Sequence, residues 1–221
     1  MSENNKNSQK FEKQKKTYKF FYWLLAGAAR RLYRVRVINA NNEPLDTHFI
    51  VASNHTAAAD GVIICACMKN QIRFMGKKEL FKVPVVGAFL RAIGCYPVDR
   101  KSSDIAALRT TINLLKDEDC VGIFPQGTRC PRVDPATTTV KSGVGLIAAR
   151  SGAHVLPVCV KSKVGAVKMF RKNYLIIGEL IINEDFDFET NKGTEGHQRV
   201  ADRIHAEICK LYRETDIENA K

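Results

Sequence analysis

The sequence predicts an α/β fold: a mixed, largely parallel sheet covered by helices, preceded by an amphipathic helical segment that anchors at a membrane surface. Two observations carry the sheet. Short apolar, β-branched runs alternate with stretches of helical periodicity, and this alternation continues along most of the chain. A third observation carries the appendage, a cluster of cations and aromatic residues ahead of the first strand. A length of 221 residues suits one domain with such an extension, and no internal repeat is visible.

In chain order, strands are expected at Arg34–Ile38, His48–Ser53, Gln71–Met75, Cys95–Val98, Val121–Phe124, Val155–Val160 and Tyr174–Gly178. Helices are expected at Ala59–Met68, Val85–Ile93, Asp104–Lys116, Ser142–Ser151 and Thr194–Arg213. His48–Ser53 reads as a buried strand running into a turn. In the last helix Val200, Ile204, Ile208 and Leu211 form an apolar stripe on a charged segment. Pro131–Thr139 reads as a polar loop able to act as a mobile cover.

The N-terminus carries much of the charge. Up to Arg36 there are ten Lys or Arg against Glu3 and Glu12, an excess of eight out of a net +12. Within it Phe20–Ala29 is apolar and rich in aromatics. Ten residues of helix cover roughly 15 Å, about half of the hydrocarbon core, so the segment is too short to span a bilayer. Residues 1–10 are expected to be a disordered polar tail, and residues 11–36 an interfacial anchor whose cations meet anionic lipid. A secretory signal with a cleavage site at Ala26-Gly27-Ala28 fits less well, because Arg30-Arg31 follows at once. The first helix of a soluble core is the other reading. Charge gathered at an apolar terminus, rather than along a folded face, argues against nucleic acid as the partner.

Seven cysteines, an odd number, point to a reducing compartment. Cys65, Cys67, Cys95, Cys120 and Cys159 lie in apolar runs and read as small buried hydrophobes. Cys130, beside Arg129, is the one to watch for reactivity. No metal site is evident, and His154 reads as structural.

Two stretches carry chemistry. Asn54-His55-Thr56-Ala57-Ala58-Ala59-Asp60 offers a histidine with a carboxylate five positions on, the parts of a general base and its orienter. The spacing is unspecific by itself, since His197 and Asp202 repeat it on what reads as a solvated helix face. Five residues of continuous helix would turn the two side chains about 140° apart. His55 must therefore precede the helix, with Asp60 in its first turn and Thr56 as a candidate N-cap. Locally, two readings stand: a base with its orienter, or Asn54, Thr56 and Asp60 merely capping a helix. The second stretch, Phe124-Pro125-Gln126-Gly127-Thr128-Arg129, follows a β-rich run and sets Gly beside Arg, a fitting loop for an anionic group.

These blocks recur in order with Phe74-Met75-Gly76-Lys77-Lys78-Glu79-Leu80, Gly94-Cys95-Tyr96-Pro97-Val98-Asp99-Arg100 and Val155-Leu156-Pro157-Val158. From about Ile50 to about Val160 the chain resembles the glycerolipid acyltransferase family, most closely its lysophosphatidic acid acyltransferase branch. The resemblance implies an acyltransferase domain over residues 37–221 with His55, Asp60 and Lys77 at the catalytic centre. It assigns the acceptor phosphate to Arg100, Gln126, Gly127, Thr128 and Arg129. One departure stands out: the family's third block usually has Glu where this chain has Gln126, which keeps a carbonyl acceptor, loses the charge and gains an N–H₂ donor.

The function so implied is transfer of a fatty acyl group from acyl-CoA or acyl carrier protein to the free hydroxyl of 1-acyl-glycerol-3-phosphate, giving phosphatidic acid. No cofactor is expected, since the acyl donor is a substrate. The partners are an anionic lipid surface, lysophosphatidic acid and the donor, at the cytoplasmic face of a membrane with no spanning helix. The rivals are a related enzyme using another lysolipid, and a non-catalytic membrane-surface protein. Leu80–Leu90 suits an acyl-chain channel or an ordinary core-facing helix.

Overall fold

The computed structural model describes residues 26–98 and 104–217, so residues 1–25 of the tail and anchor, and Arg100, lie outside the described residues. Seven strands form one sheet: β1 (Val35–Ile38), β2 (Phe49–Ser53), β3 (Ile72–Lys77), β4 (Tyr96–Val98), β5 (Cys120–Ile123), β6 (His154–Ser162) and β7 (Asn173–Ile177). Their spatial order is β1-β7-β6-β2-β5-β3-β4. Every pairing is parallel except β6 with β7. The helices are α1 (Asp60–Cys67), α2 (Pro84–Ala92), α3 (Asp104–Lys116), α4 (Gly143–Ser151) and α5 (Gly193–Glu214). The mixed, largely parallel sheet expected from sequence is present, and element ends differ from expectation by a few residues at most. β6 runs longest beyond its expected bounds because it serves two ladders, parallel to β2 and antiparallel to β7.

Both faces of the sheet are covered, as a parallel sheet requires. Along β2 the pleat sends Phe49 and Val51 to one layer, where they pack with Ile63, Ile64 and Met68 of the α1 region. Ile50 and Ala52 face the other layer, with Val144 and Ile147 of α4 and Ile204 and Ile208 of α5. All five β2 residues are buried. Within this interior Arg73 of β3 reaches Asp119, Nε to Oδ2 2.7 Å, a buried pair holding β3 beside the start of β5. Burial pushes the Cys67 and Cys95 thiols up to about 11 and Cys120 up to about 12, and it raises Cys65 and Cys159 as well. These are the five cysteines read from sequence as apolar filler; Cys95 alone is only half-buried.

The topology collects loops at one edge. The carboxyl ends of β2, β3, β5 and β6 point the same way, and β1 and β7 run opposite, so their amino ends join that edge. Residues 26–32 are helical and lead into β1 there. Arg30, expected to face lipid, instead donates from Nε to the Ala66 carbonyl of α1 at 2.7 Å. Arg31 and Arg34 are exposed.

Two expectations change. Segment 80–90 is no core-facing helix: Leu80, Val83, Val85 and Val86 are exposed, Val85 by 81%. Only Phe81 and Gly87 are buried, because the Phe81 backbone lies where a Gly87 Cβ would stand. The loop 131–139, expected to be a mobile cover, is tied to the rest of the fold at three points. Pro135 is buried and its carbonyl accepts from His205 Nε2 at 2.9 Å, Asp134 pairs with Arg213 at 3.1 Å, and the Arg132 N–H donates to Gly165 O at 2.8 Å.

Gly145 sets the approach of α4 to α5: a Cβ added there would lie 2.1 Å from the His197 carbonyl oxygen. Backbone cannot yield as a side chain does, so Gly145→Ala should destabilise by about 2 kcal/mol or more, lowering Tm by several degrees. Thermal denaturation followed by circular dichroism checks this; an unchanged Tm would contradict the packing.

Candidate active site

The site begins where β2 ends. Asn54 lies past the last ladder residue, and its side chain replaces a strand residue: Nδ2 donates to Val160 O at 2.8 Å and Oδ1 accepts from Val160 N at 2.7 Å. The turn is thereby fixed to β6 one residue before His55. Asp60 then opens α1, which places it in the first turn as the spacing required. The N-cap is Ala59, not Thr56. The Thr56 hydroxyl is used on Asp60 instead.

Asp60 is fully buried and collects four donors. Its Oδ2 accepts from His55 Nδ1 at 2.9 Å, from Ala57 N at 2.8 Å and from Thr56 N; its Oδ1 accepts from Thr56 Oγ1 at 3.0 Å. A carboxylate has no proton to give, so Nδ1 carries the hydrogen and Nε2 of the neutral ring keeps a free lone pair. The local capping reading is half right: Asp60 does tie down the turn, and the same oxygen orients the imidazole.

The ring is held from one side. It stacks on Phe124 with centroids 4.0 Å apart and planes 11° from parallel. Phe124 in turn stacks on Phe74 at 5.3 Å. Phe74 occupies the space above Gly122 of β5, where a Cβ would stand 2.2 Å from its ring. Glycine at 122 therefore makes the column Phe74–Phe124–His55 possible. The His55 side chain remains 19% accessible, unlike its partner.

The third block, Phe124–Arg129, meets the first directly. Gln126 is buried, and its Oε1 accepts from His55 N at 2.7 Å while Nε2 donates to Thr138 Oγ1 at 2.7 Å. Placed by sequence among acceptor-binding residues, it has both amide ends engaged within the protein and acts as a brace. The His55 N–H needs an oxygen acceptor, and the glutamine carbonyl supplies one without the charge that a glutamate would bring. Cys130 N donates to His55 O at 2.7 Å, closing the loop against the turn. Between these fixed points Gly127, Thr128 and Arg129 are exposed, and Gly127 holds φ 68°, a left-handed conformation suited to glycine.

Lys141 was not singled out from sequence. Its N–H donates to Pro125 O at 3.0 Å, and its Cε lies 3.2 Å from where a Gly127 Cβ would stand. A second cation thus lies over the loop that carries Arg129. No motif marks it, because the contact is made across the intervening loop. Lys77 is exposed at the end of β3, beside edge strand β4 and separated from β2 by β5. His197 and Asp202 do not pair; Asp202 accepts from Gln198 at 2.9 Å on the α5 surface. His154 is structural, its Nδ1 accepting from Asn183 N at 3.0 Å.

The ring column makes a prediction. Gly122→Ala should displace Phe74 and cost about 1–3 kcal/mol of stability. It should also remove the upfield ring-current shift that Phe124 imposes on the His55 ring protons. Retention of both the melting temperature and the proton shift would contradict the column.

Comparison with known proteins gives the same reading from outside. A family model described as Acyltransferase matches residues 34–161. A 1-acyl-sn-glycerol-3-phosphate acyltransferase of Bacillus subtilis is 36% identical over 155 residues, covering 69% of this chain and 76% of that protein. One from Streptococcus pneumoniae is 29% identical over 174 residues, covering 77% of this chain and 62% of its relative. The crystal structure of a 1-acyl-sn-glycerophosphate (LPA) acyltransferase from Thermotoga maritima superposes with a TM-score of 0.68 at 24% identity, over 91% of this chain and 84% of that one, which shows a shared fold. The stretch matched by the family model contains both blocks joined at His55, and the chain belongs to the acyltransferase family.

Proposed function

We propose that the protein transfers a fatty acyl group from a thioester, acyl-CoA or acyl carrier protein, to the free hydroxyl of 1-acyl-glycerol-3-phosphate, giving phosphatidic acid. The observation that carries the chemistry is His55: Nδ1 engaged by a buried carboxylate, one ring face on Phe124, and part of the side chain accessible. An alcohol is a poor nucleophile at neutral pH and needs a base on its proton. In this reading Nε2 takes that proton as the oxygen attacks the thioester carbonyl. Asp60 stabilises the imidazolium so formed. Collapse of the tetrahedral intermediate breaks the carbon–sulfur bond, and the thiolate takes the proton back from Nε2. The acceptor hydroxyl is itself the nucleophile, so no covalent acyl-enzyme is needed. The reaction calls on no cofactor.

The acceptor phosphate belongs to the exposed turn Gly127–Arg129. Guanidinium can grip two oxygens, Thr128 adds a hydroxyl, and Lys141 adds a charge from above. Arg100 and Lys77 join through the family resemblance, Arg100 at the phosphate and Lys77 near the reacting carbonyl. Phosphate recognition together with the named relatives favours a phosphorylated lysolipid over other acceptors.

The substrates are lipids, and the protein meets them at an anionic membrane surface through residues 11–36. Among the described residues, no helix is long and apolar enough to cross a membrane. The cytoplasmic face suits the many free thiols.

The test is lipid product analysis with purified protein, lysophosphatidic acid and either acyl-CoA or acyl carrier protein. His55→Ala should lower kcat by about 10²–10⁴-fold without changing the fold. Arg129→Ala should raise the acceptor KM about tenfold or more, leaving the donor KM unchanged, and Lys141→Ala should act in the same direction. Full activity in His55→Ala would end the base assignment; unchanged acceptor kinetics in both cation variants would end the phosphate assignment.

A further inference from the structure

The loop between β6 and β7, residues 163–172, takes no part in the chemistry above. Its surface is unusual. Met169 and Phe170 are exposed, Phe170 by 69%. Phe170 also holds a left-handed backbone with φ 60°, a conformation that aromatic residues rarely adopt. No burial of the ring offsets that strain, since most of it faces outward.

The turn is nevertheless held firmly from below. Buried Asn173 donates from Nδ2 to Lys168 O and Arg171 O, both at 2.9 Å, and its Oδ1 accepts from Lys168 N at 3.2 Å. Phe170 N donates to Leu32 O at 2.8 Å, joining the loop to the helical end of the N-terminal segment. The apolar tip is thus presented by a built turn. Lys163, Lys168, Arg171 and Lys172 lie in the same loop, all exposed, and no Asp or Glu occurs from Lys161 to Gly178.

Its position is equally specific. Val167 N donates to Thr56 Oγ1 at 3.2 Å, and Thr56 donates to Asp60. The loop therefore stands at the sheet edge that carries His55, between the N-terminal segment and the exposed turn of the third block.

We propose that this loop is a second contact with an anionic bilayer: Met169 and Phe170 enter the headgroup region, and the flanking cations meet lipid phosphates. The proposal rests on the membrane-surface reading given above and adds a site to it. An apolar tip flanked by cations, joined by a backbone bond to the basic, aromatic N-terminal segment, matches a lipid surface in both charge and polarity. With two contacts on one edge, the mouth of the site faces the bilayer that holds the lysolipid.

The experiment uses the full chain and vesicles of phosphatidylcholine, with and without an equal part of phosphatidylglycerol. In sedimentation, the double variant Met169→Ser, Phe170→Ser should bind anionic vesicles about tenfold or more weakly than wild type. Its turnover of a short-chain, monomeric acceptor should be unchanged. In a Trp23→Phe background, the indole introduced by F170W should be quenched by brominated lipid. Wild-type protein that ignores vesicles would overturn the membrane reading and this proposal together. Wild type that binds, with the double variant binding equally well or the introduced indole unquenched, would overturn the loop contact alone.

Discussion

Everything at the site depends on one buried carboxylate. Asp60 Oδ2 accepts from the His55 ring and from two backbone N–H groups of the turn between them, so a single oxygen fixes both the chain path and the ring it orients. Inside a protein, hydrogen bonds to a charged acceptor are roughly twice as strong as neutral ones, and an unmet buried carboxylate is costly. The turn therefore has little freedom to move while Asp60 remains satisfied. Thr56 extends the arrangement, giving its hydroxyl proton to Asp60 and accepting the Val167 N–H from the loop beyond β6.

The sheet supplies what the carboxylate cannot. β2 and β5 are neighbours although β3 and β4 lie between them in sequence, so the chain returns to insert β5 beside β2. Their carboxyl ends then release His55 and Phe124 side by side, as open α/β sheets commonly arrange their ligand crevices. Gln126 and Cys130 bind the two loops together through the His55 backbone. Glycine at 122 gives Phe74 room to support Phe124, so a missing side chain in a strand governs the position of a ring three layers away. His55, the exposed turn Gly127–Arg129, the end of helical residues 26–32 and the β6–β7 loop meet on one edge because strand direction puts them there.

Much of this was legible in the sequence. Among the described residues, alternating periodicities located the seven strands and helices α1–α5, since the central strands are buried on both faces and therefore apolar. The requirement that His55 precede the helix and Asp60 open it followed from helix geometry alone. What stayed hidden depends on contacts between distant segments. Lys141 lies over Gly127 because its backbone bonds to Pro125, which no local pattern announces. The family resemblance placed Gln126 among the acceptor-binding residues; in the fold it is buried, with both amide ends bonded inside the protein. Thr56 resembled a cap, but the stronger acceptor claimed its hydroxyl. Segment 80–90 suited an acyl-chain channel or a core-facing helix by composition, yet Val85 is 81% exposed.

The most direct measurement of the central claim is the protonation state of His55, read from nitrogen-15 shifts of the imidazole in the neutral enzyme. The geometry around Asp60 predicts hydrogen on Nδ1 and a bare Nε2, with that preference lost in Asp60→Ala. A neutral ring carrying its hydrogen on Nε2 in the wild-type protein would leave no lone pair for the acceptor hydroxyl, and would contradict the account.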